Sequence, residues 1–319
     1  MSSTIQHLPE PATEAAASVV LKKQSLFSDY CQLFKVRVTS LIVMTAWTGY
    51  YMGTAKNGTS SVSWMLLNAL LGIGLTSAGA AALNEVVEHR LDAQMKRTRN
   101  RPIPAQRMQL STGLAAGLAA TLLGPLYLAL TTNLLSGLLA LATAACYLAL
   151  YTPLKKVSPI STFVGAFPGA MPPLLGWTAA RGQLDWEGIV LFTIVFAWQF
   201  PHFQAIAWLY REEYEGAGIK MLPVVDTQGQ SVVRQMIAYS SVLVPVSLLP
   251  TLLHMSGRIY LTGALVCGLL FLALNLRFAF KGLPTTAPES KQFARQILKA
   301  SVIYLPILFA LMMIDVVRS

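Results

Sequence analysis

The sequence predicts an all-α integral membrane protein of nine transmembrane helices. Three observations carry that reading. Hydrophobic residues make up 54% of the 319-residue chain and charged residues 12%, against about a quarter charged in soluble domains. The apolar residues gather into nine long runs, and a membrane span needs about 20 of them. The cations alternate from side to side along the predicted path.

The runs cover residues 38–51, 63–87, 110–130, 133–151, 159–180, 188–209, 232–253, 259–280 and 297–317. The first is short and is expected to begin earlier, near Leu33. The second opens with "SWMLLNALLGIGLTSAGAAA", which holds no charge, and closes with Glu85 inside it and Glu88 just beyond its end. The third and fourth are free of charge throughout. The fifth carries Gly165, Pro168, Gly169, Pro172, Pro173 and Gly176. That composition predicts an irregular helix, tolerable at membrane depth only when buried in protein or facing a cavity. In the sixth, Pro201 removes a backbone donor and should kink the helix. The last three carry Arg234, Arg277 and Lys299 at their ends, where a helix leaves the bilayer.

Threading the chain through these runs places 20 of its 24 lysines and arginines on one side, leaving Lys56, Arg181, Arg258 and Arg318 on the other. By the positive-inside rule the rich side is cytoplasmic. Nine spans then put the N-terminus inside and the C-terminus outside a bacterial cytoplasmic (inner) membrane. The net charge of +10 is therefore topological, and nucleic acid is excluded as a partner. Residues 1–30 hold Glu10 and Glu14 and no apolar core before a small-residue cleavage site. They read as a disordered cytoplasmic tail without a signal or transit peptide, ahead of one membrane domain, 31–319. Cys31, Cys146 and Cys267 lie far apart, without CxxC spacing, so neither a disulfide framework nor a zinc site is expected.

Chemistry concentrates where the second run ends, in "LNEVVEHRLDAQMKRTRNRPIP" (residues 83–104). Asn84, Glu88 and Asp92 recur every four residues and share one helical face, with Glu85 beside them. Like charges so placed repel, and near a bilayer the ionised forms are costly. A hard divalent cation such as Mg²⁺ relieves that cost with carboxylate and amide oxygens, and keeps positions open for phosphate. Lys96, Arg97, Arg99 and Arg101 follow at once, suited to the rest of a polyphosphate. The plainer reading is a solvated helix end with a topogenic loop, in which Asp92–Lys96 and Glu85–His89 are simple i, i+4 pairs. From spacing alone the two stand level. A second polar end shifts the balance: "AWQFPHFQAIAWLYREEYEGAGIKMLPVV" puts Gln199, His202, Ile206, Tyr210 and Glu213 on one face and Arg211, Glu212 and Glu213 at the cytoplasmic end. His202 is open to two readings, a buried hydrogen-bonded histidine or one that ligates iron or relays a proton. "YTPLKK" adds Tyr151, Lys155 and Lys156 on the same side.

Taken in order and spacing, "MKRTRNRPIP", "YTPLKK", "GAFPGAMPPLLGW", "WQFPHF" and "YREEYEGAGIKMLPVV" make the chain, over nearly all of residues 30–316, similar to the UbiA superfamily of intramembrane prenyltransferases, in particular its haem-accepting, farnesyl-transferring branch. The resemblance implies nine helices around a central cavity capped by cytoplasmic loops. It implies farnesyl diphosphate as donor, Mg²⁺ as cofactor and haem b as acceptor, whose vinyl group becomes the hydroxyethylfarnesyl group of haem O. A downstream haem-modifying enzyme or a terminal oxidase is the partner it suggests, with membrane lipid around the site. Carried over residue by residue, Asn84, Glu88 and Asp92, with Glu213 from the second motif, would hold the metal. Arg97, Arg101, Lys155, Lys156 and Arg211 would contact diphosphate, and His202, Tyr210 and Glu213 match the second motif region. Where many superfamily members carry an Asp-rich second motif, this chain has His202 and the Arg-Glu-Glu-Tyr run. "KVRVTSL" resembles the family's Lys-Pro-Arg pattern with Val36 in place of proline. Two rivals remain: a UbiA-type enzyme with an aromatic acceptor, and a transporter lined by broken fifth and sixth helices.

Overall fold

The computed structural model describes residues 25–318. Among them the regular elements are helical: α1 (Leu26–Leu33), α2 (Val36–Lys56), α3 (Trp64–Asp92), α4 (Leu110–Thr131), α5 (Leu134–Ala145), a π turn (Cys146–Tyr151), α6 (Thr152–Leu154), α7 (Ser161–Arg181), α8 (Trp186–Leu209), α9 (Arg211–Gly216), α10 (Leu222–Val225), α11 (Gln230–Leu252), α12 (Arg258–Phe280) and α13 (Ser290–Ile314). Residues 1–24 of the expected tail lie outside the described part. Residues 26–30, grouped with that tail by the sequence reading, instead open α1. Ser25 caps the helix by accepting from the Ser28 N–H, and buried Asp29 pairs with Arg107 at 2.9 Å.

Each predicted run coincides with a long helix, counting α5, the π turn and α6 as one span. Seven of these helices, among the described residues, are long and apolar enough to cross a membrane. The other two, α2 and α7, have 21 residues each but are less apolar. Their packing explains why. They lie against each other; α7 buries 13 of its 21 residues and so faces protein more than lipid, while α2 is buried along its second half. The irregular helix expected over the fifth run is instead one unbroken helix whose three prolines are all buried. α8 likewise runs on through Pro201.

Close backbone approach, rather than hydrophobic area, joins helices in lipid. Along α2 and α7 a Cβ on Gly49 would stand 1.8 Å from the Pro173 carbonyl oxygen, and one on Gly176 would stand 1.9 Å from that of Ala46. Gly79 and Gly124 do the same between α3 and α4, meeting the backbone of Thr121 and Thr76. The outer surface is the reverse: Leu114, Leu122, Leu126, Leu265 and Leu270 are exposed, an apolar coat that would aggregate in water and belongs in lipid. α2, α3, α4, α5 and α7 pack together, α8, α11, α12 and α13 form a second group, and the α7–α8 and α2–α13 contacts join them.

Candidate functional site

α3 continues to Asp92, beyond the end predicted for its apolar run, because its last two turns are buried by protein. Asn84, Glu85, Glu88 and Asp92 are all buried. The chain then folds over this end as the loop 93–109. Glu85, fully buried, accepts the Ile103 N–H at 3.2 Å, and its second oxygen has no partner. Thr98 donates to the Asp92 carbonyl, and Arg107 ties the loop to Asp29 and Gln32 of α1. Met95 from this loop packs with Ala207, Tyr214, Ala217 and Ile219. The segment after α8 thus joins the same cap, and the Lys220 N–H adds a bond to the Lys155 carbonyl.

Beneath the cap lies a cavity of about 230 Å³, whose wall includes Asn84, Glu88, Asp92, Arg97, Arg101 and Lys155. Six of the residues given metal or diphosphate roles from the sequence thus meet at one chamber, with Tyr151 and Ile206 beside them. Their charges are paired across it. Lys155 Nζ binds both Glu88 oxygens, at 2.9 and 3.1 Å; Arg101 binds Asp92 at 2.5 Å; and Lys35 donates to the Asn84 amide oxygen at 3.2 Å. Burial penalises the Lys155 charge, but Tyr151, Glu88 and Tyr147 outweigh it and hold its pKa above the ordinary lysine value. For Lys35, burial and the neighbouring Arg101 and Lys155 prevail, lowering its pKa to about 8.

The rest of the wall is aromatic and apolar. Tyr147 and Tyr151 stand 5.3 Å apart between ring centres, presented by the π turn, a feature frequent at functional sites. Lys155 sits 4.4 Å from the Tyr151 ring centre. Phe203, Ile206 and Met221 complete this side.

Several expected site residues are elsewhere. Lys156 follows Lys155 round a tight turn and is exposed, while Arg211 is buried and turned onto Glu215 at 3.1 Å. Neither lines the cavity. α8 ends at Leu209, so the face drawn from Gln199 to Glu213 breaks before Tyr210. Glu213 accepts the Arg97 backbone N–H at 3.0 Å, and the Arg97 guanidinium lies over the Tyr210 and Tyr214 rings. Tyr210 and Glu213 therefore hold the cap and its arginine rather than the cavity floor. No group of three or more His, Cys, Asp and Glu side chains among the described residues gathers as a metal cage, so Glu213 does not join Glu88 and Asp92. His202 points toward α13, where Nδ1 meets Ser301 Oγ at 2.8 Å.

Lys35 is the charged cavity residue that sequence reasoning passed over, counted only as a topological cation. It stands in the left-handed region (φ 45°) at the junction of α1 and α2, a costly conformation for a lysine. Its signal was present in "KVRVTSL", the pattern matched for helix geometry rather than for charge.

The arrangement suits an anionic group held beneath a cap beside an aromatic, water-poor wall. The model of the UbiA prenyltransferase family matches residues 42–297. A protoheme IX farnesyltransferase of Koribacter versatilis is 52% identical over 99% of both chains. One of Solibacter usitatus is 45% identical over 90% of this chain and 98% of its own. Among solved structures, a digeranylgeranylglyceryl phosphate synthase superposes with TM-score 0.75 at 17% identity, covering 91% of this chain and 98% of its own. A UbiA homolog from Archaeoglobus fulgidus bound to GPP and Mg²⁺ superposes with TM-score 0.59, also at 17% identity, covering 89% and 99%. With family model, full-length relatives and fold in agreement, the chain belongs to the UbiA prenyltransferase family.

Proposed function

We propose that this protein transfers the farnesyl group of farnesyl diphosphate to a vinyl group of haem b, giving haem O. The observation that carries the reading is the set of ion pairs lining the cavity, Lys155 with Glu88 and Arg101 with Asp92, with Lys155 also lying against the Tyr151 ring. Full-length likeness to relatives named protoheme IX farnesyltransferase supports the donor and the acceptor.

The donor set of Asn84, Glu88 and Asp92 suits Mg²⁺: two carboxylates and an amide on one helical face, which would hold the ion and leave positions open for phosphate. Bound there, the ion would supply positive charge against the departing diphosphate. The chain's own residues do the remainder. Lys155 and Arg101, now holding Glu88 and Asp92, exchange those carboxylates for phosphate oxygens, and Lys35 and Arg97 add charge from the two sides. Departure of diphosphate breaks the C1–O bond and leaves an allylic cation. Tyr147 and Tyr151 face it with their rings, while Phe203, Ile206 and Met221 keep water away. The terminal vinyl carbon bonds to C1, the positive charge moves to the carbon next to the porphyrin, and water adds there with loss of a proton. His202 positions the haem, and the isoprenoid tail extends along the apolar helices toward lipid. The excess of cations in the cap loops supports a cytoplasmic cap and N-terminus in a bacterial inner membrane.

The test is product mass. Purified protein in detergent with Mg²⁺, farnesyl diphosphate and haem b should yield a product heavier than haem b by one farnesyl and one hydroxyl group. Turnover with an aromatic acceptor instead of haem, or no donor consumption where no gradient exists, would replace this reading with a quinone-type transferase or a transporter.

A further inference from the structure

Within α8, between buried Gln199 and Gln204, His202 is held in a small polar network. Its Nδ1 lies 2.8 Å from Ser301 Oγ. Ser301 Oγ in turn lies 2.7 Å from the Leu298 carbonyl oxygen. A hydroxyl has one proton and a carbonyl only accepts, so the serine proton goes to Leu298. The hydrogen bond to His202 must then be donated by Nδ1–H. Neutral imidazole carries a single N–H, which leaves Nε2 as a bare lone pair, and no residue among those described donates to it. The ring is held in place a second time: the Trp198 indole stacks on it with centres 4.7 Å apart and donates its own N–H to the Ser301 carbonyl at 2.9 Å. α13 thus engages one ring nitrogen and leaves Nε2 as an acceptor without a donor among the described residues.

We propose that His202 Nε2 is the ligand this protein offers to the iron of its haem substrate, and that Ser301 is the positioning residue that fixes the tautomer. A second atom that holds the proton on the far nitrogen is the usual partner of a metal-ligating histidine. The inference rests on haem b being the acceptor, and it adds the atom and the residue behind it.

The experiment is titration of the purified full-length protein with haem b, read by ultraviolet–visible and resonance Raman spectra of the reduced complex. Product mass is measured in the same preparation. The wild type should give an iron–histidine stretching band. H202A and H202Q should lose it, with added imidazole restoring it. S301A should shift the band and weaken haem binding by about 10- to 100-fold, and S301T, which keeps a hydroxyl, should restore both. H89A, at the far end of α3, should behave as wild type. An unchanged band in both His202 variants overturns the ligand assignment, and an unchanged band and affinity in S301A overturn the role of Ser301. A wild type that binds haem with the band but makes no farnesylated product leaves this inference standing and removes the proposed reaction.

Discussion

Replacing Glu88 by glutamine separates the two things this carboxylate does. In the structure it is the counter-ion of Lys155, with both side chains about nine-tenths buried (exposures of 10% and 12%). Removing one partner of a fully buried pair costs about 3–5 kcal/mol. Some water reaches this one, and Lys155 keeps its contact with the Tyr151 ring, so about 2 kcal/mol is expected for E88Q. In a protein of this size that lowers the melting temperature by roughly 3 °C. The same change removes a metal-holding oxygen, which should cut magnesium-dependent turnover by about 10²–10³-fold, as loss of one preorganised electrostatic contact does. The double variant E88Q/K155M removes both charges. It should regain most of the melting temperature, since no unpaired ion remains, yet stay inactive. Thermal unfolding in detergent and farnesyl transfer across a magnesium titration measure the two effects separately. Turnover in E88Q within about twofold of wild type would refute the role assigned to the acidic face. Equal melting temperatures for the single and double variants would refute the ion-pair account.

Three further outcomes are expected. Lys35, with its pKa lowered to about 8, is about nine-tenths charged at pH 7 and about one-tenth charged at pH 9. An anionic donor binds the charged form, so kcat/KM for the donor should fall by about tenfold across that interval in wild type and stay level in K35R; because the folded state disfavours the charge, K35M should raise the melting temperature, most at neutral pH, with the gain fading as pH climbs from about 8 toward 10.5. E85A leaves the buried Ile103 N–H without its acceptor, at a cost of about 1–3 kcal/mol. That should raise hydrogen exchange in residues 93–109 by roughly fivefold or more, while E85Q, which keeps an oxygen, holds exchange near wild type. G176A drives a methyl onto the Ala46 carbonyl and should lower the melting temperature by several degrees (about 1–3 kcal/mol or more), whereas G216A, with nothing within 4 Å, should not; a stable G176A would mean α2 and α7 part more easily than their packing implies.

The sequence by itself determined the membrane class, the nine helical runs and the face carrying Asn84, Glu88 and Asp92. These are local properties: apolar length, the four-residue spacing of a helix, and the sidedness of cations. It also held, in five motifs kept in register, enough to name the family. The structure decided which charges share a chamber. Lys155 and Lys156 are adjacent and chemically alike, yet the turn after α6 sends one to Glu88 and the other to the surface. Glu213 and Glu88 read alike as acids at helix ends, but the break at Tyr210 gives the first to the Arg97 backbone. Lys35 joins the site only through a left-handed residue between two helices, and His202 finds Ser301 99 residues away. Such pairings depend on how the helices pack and where the loops return. Spacing along one helix fixes a direction in space, and only the neighbour that arrives there fixes what the side chain does.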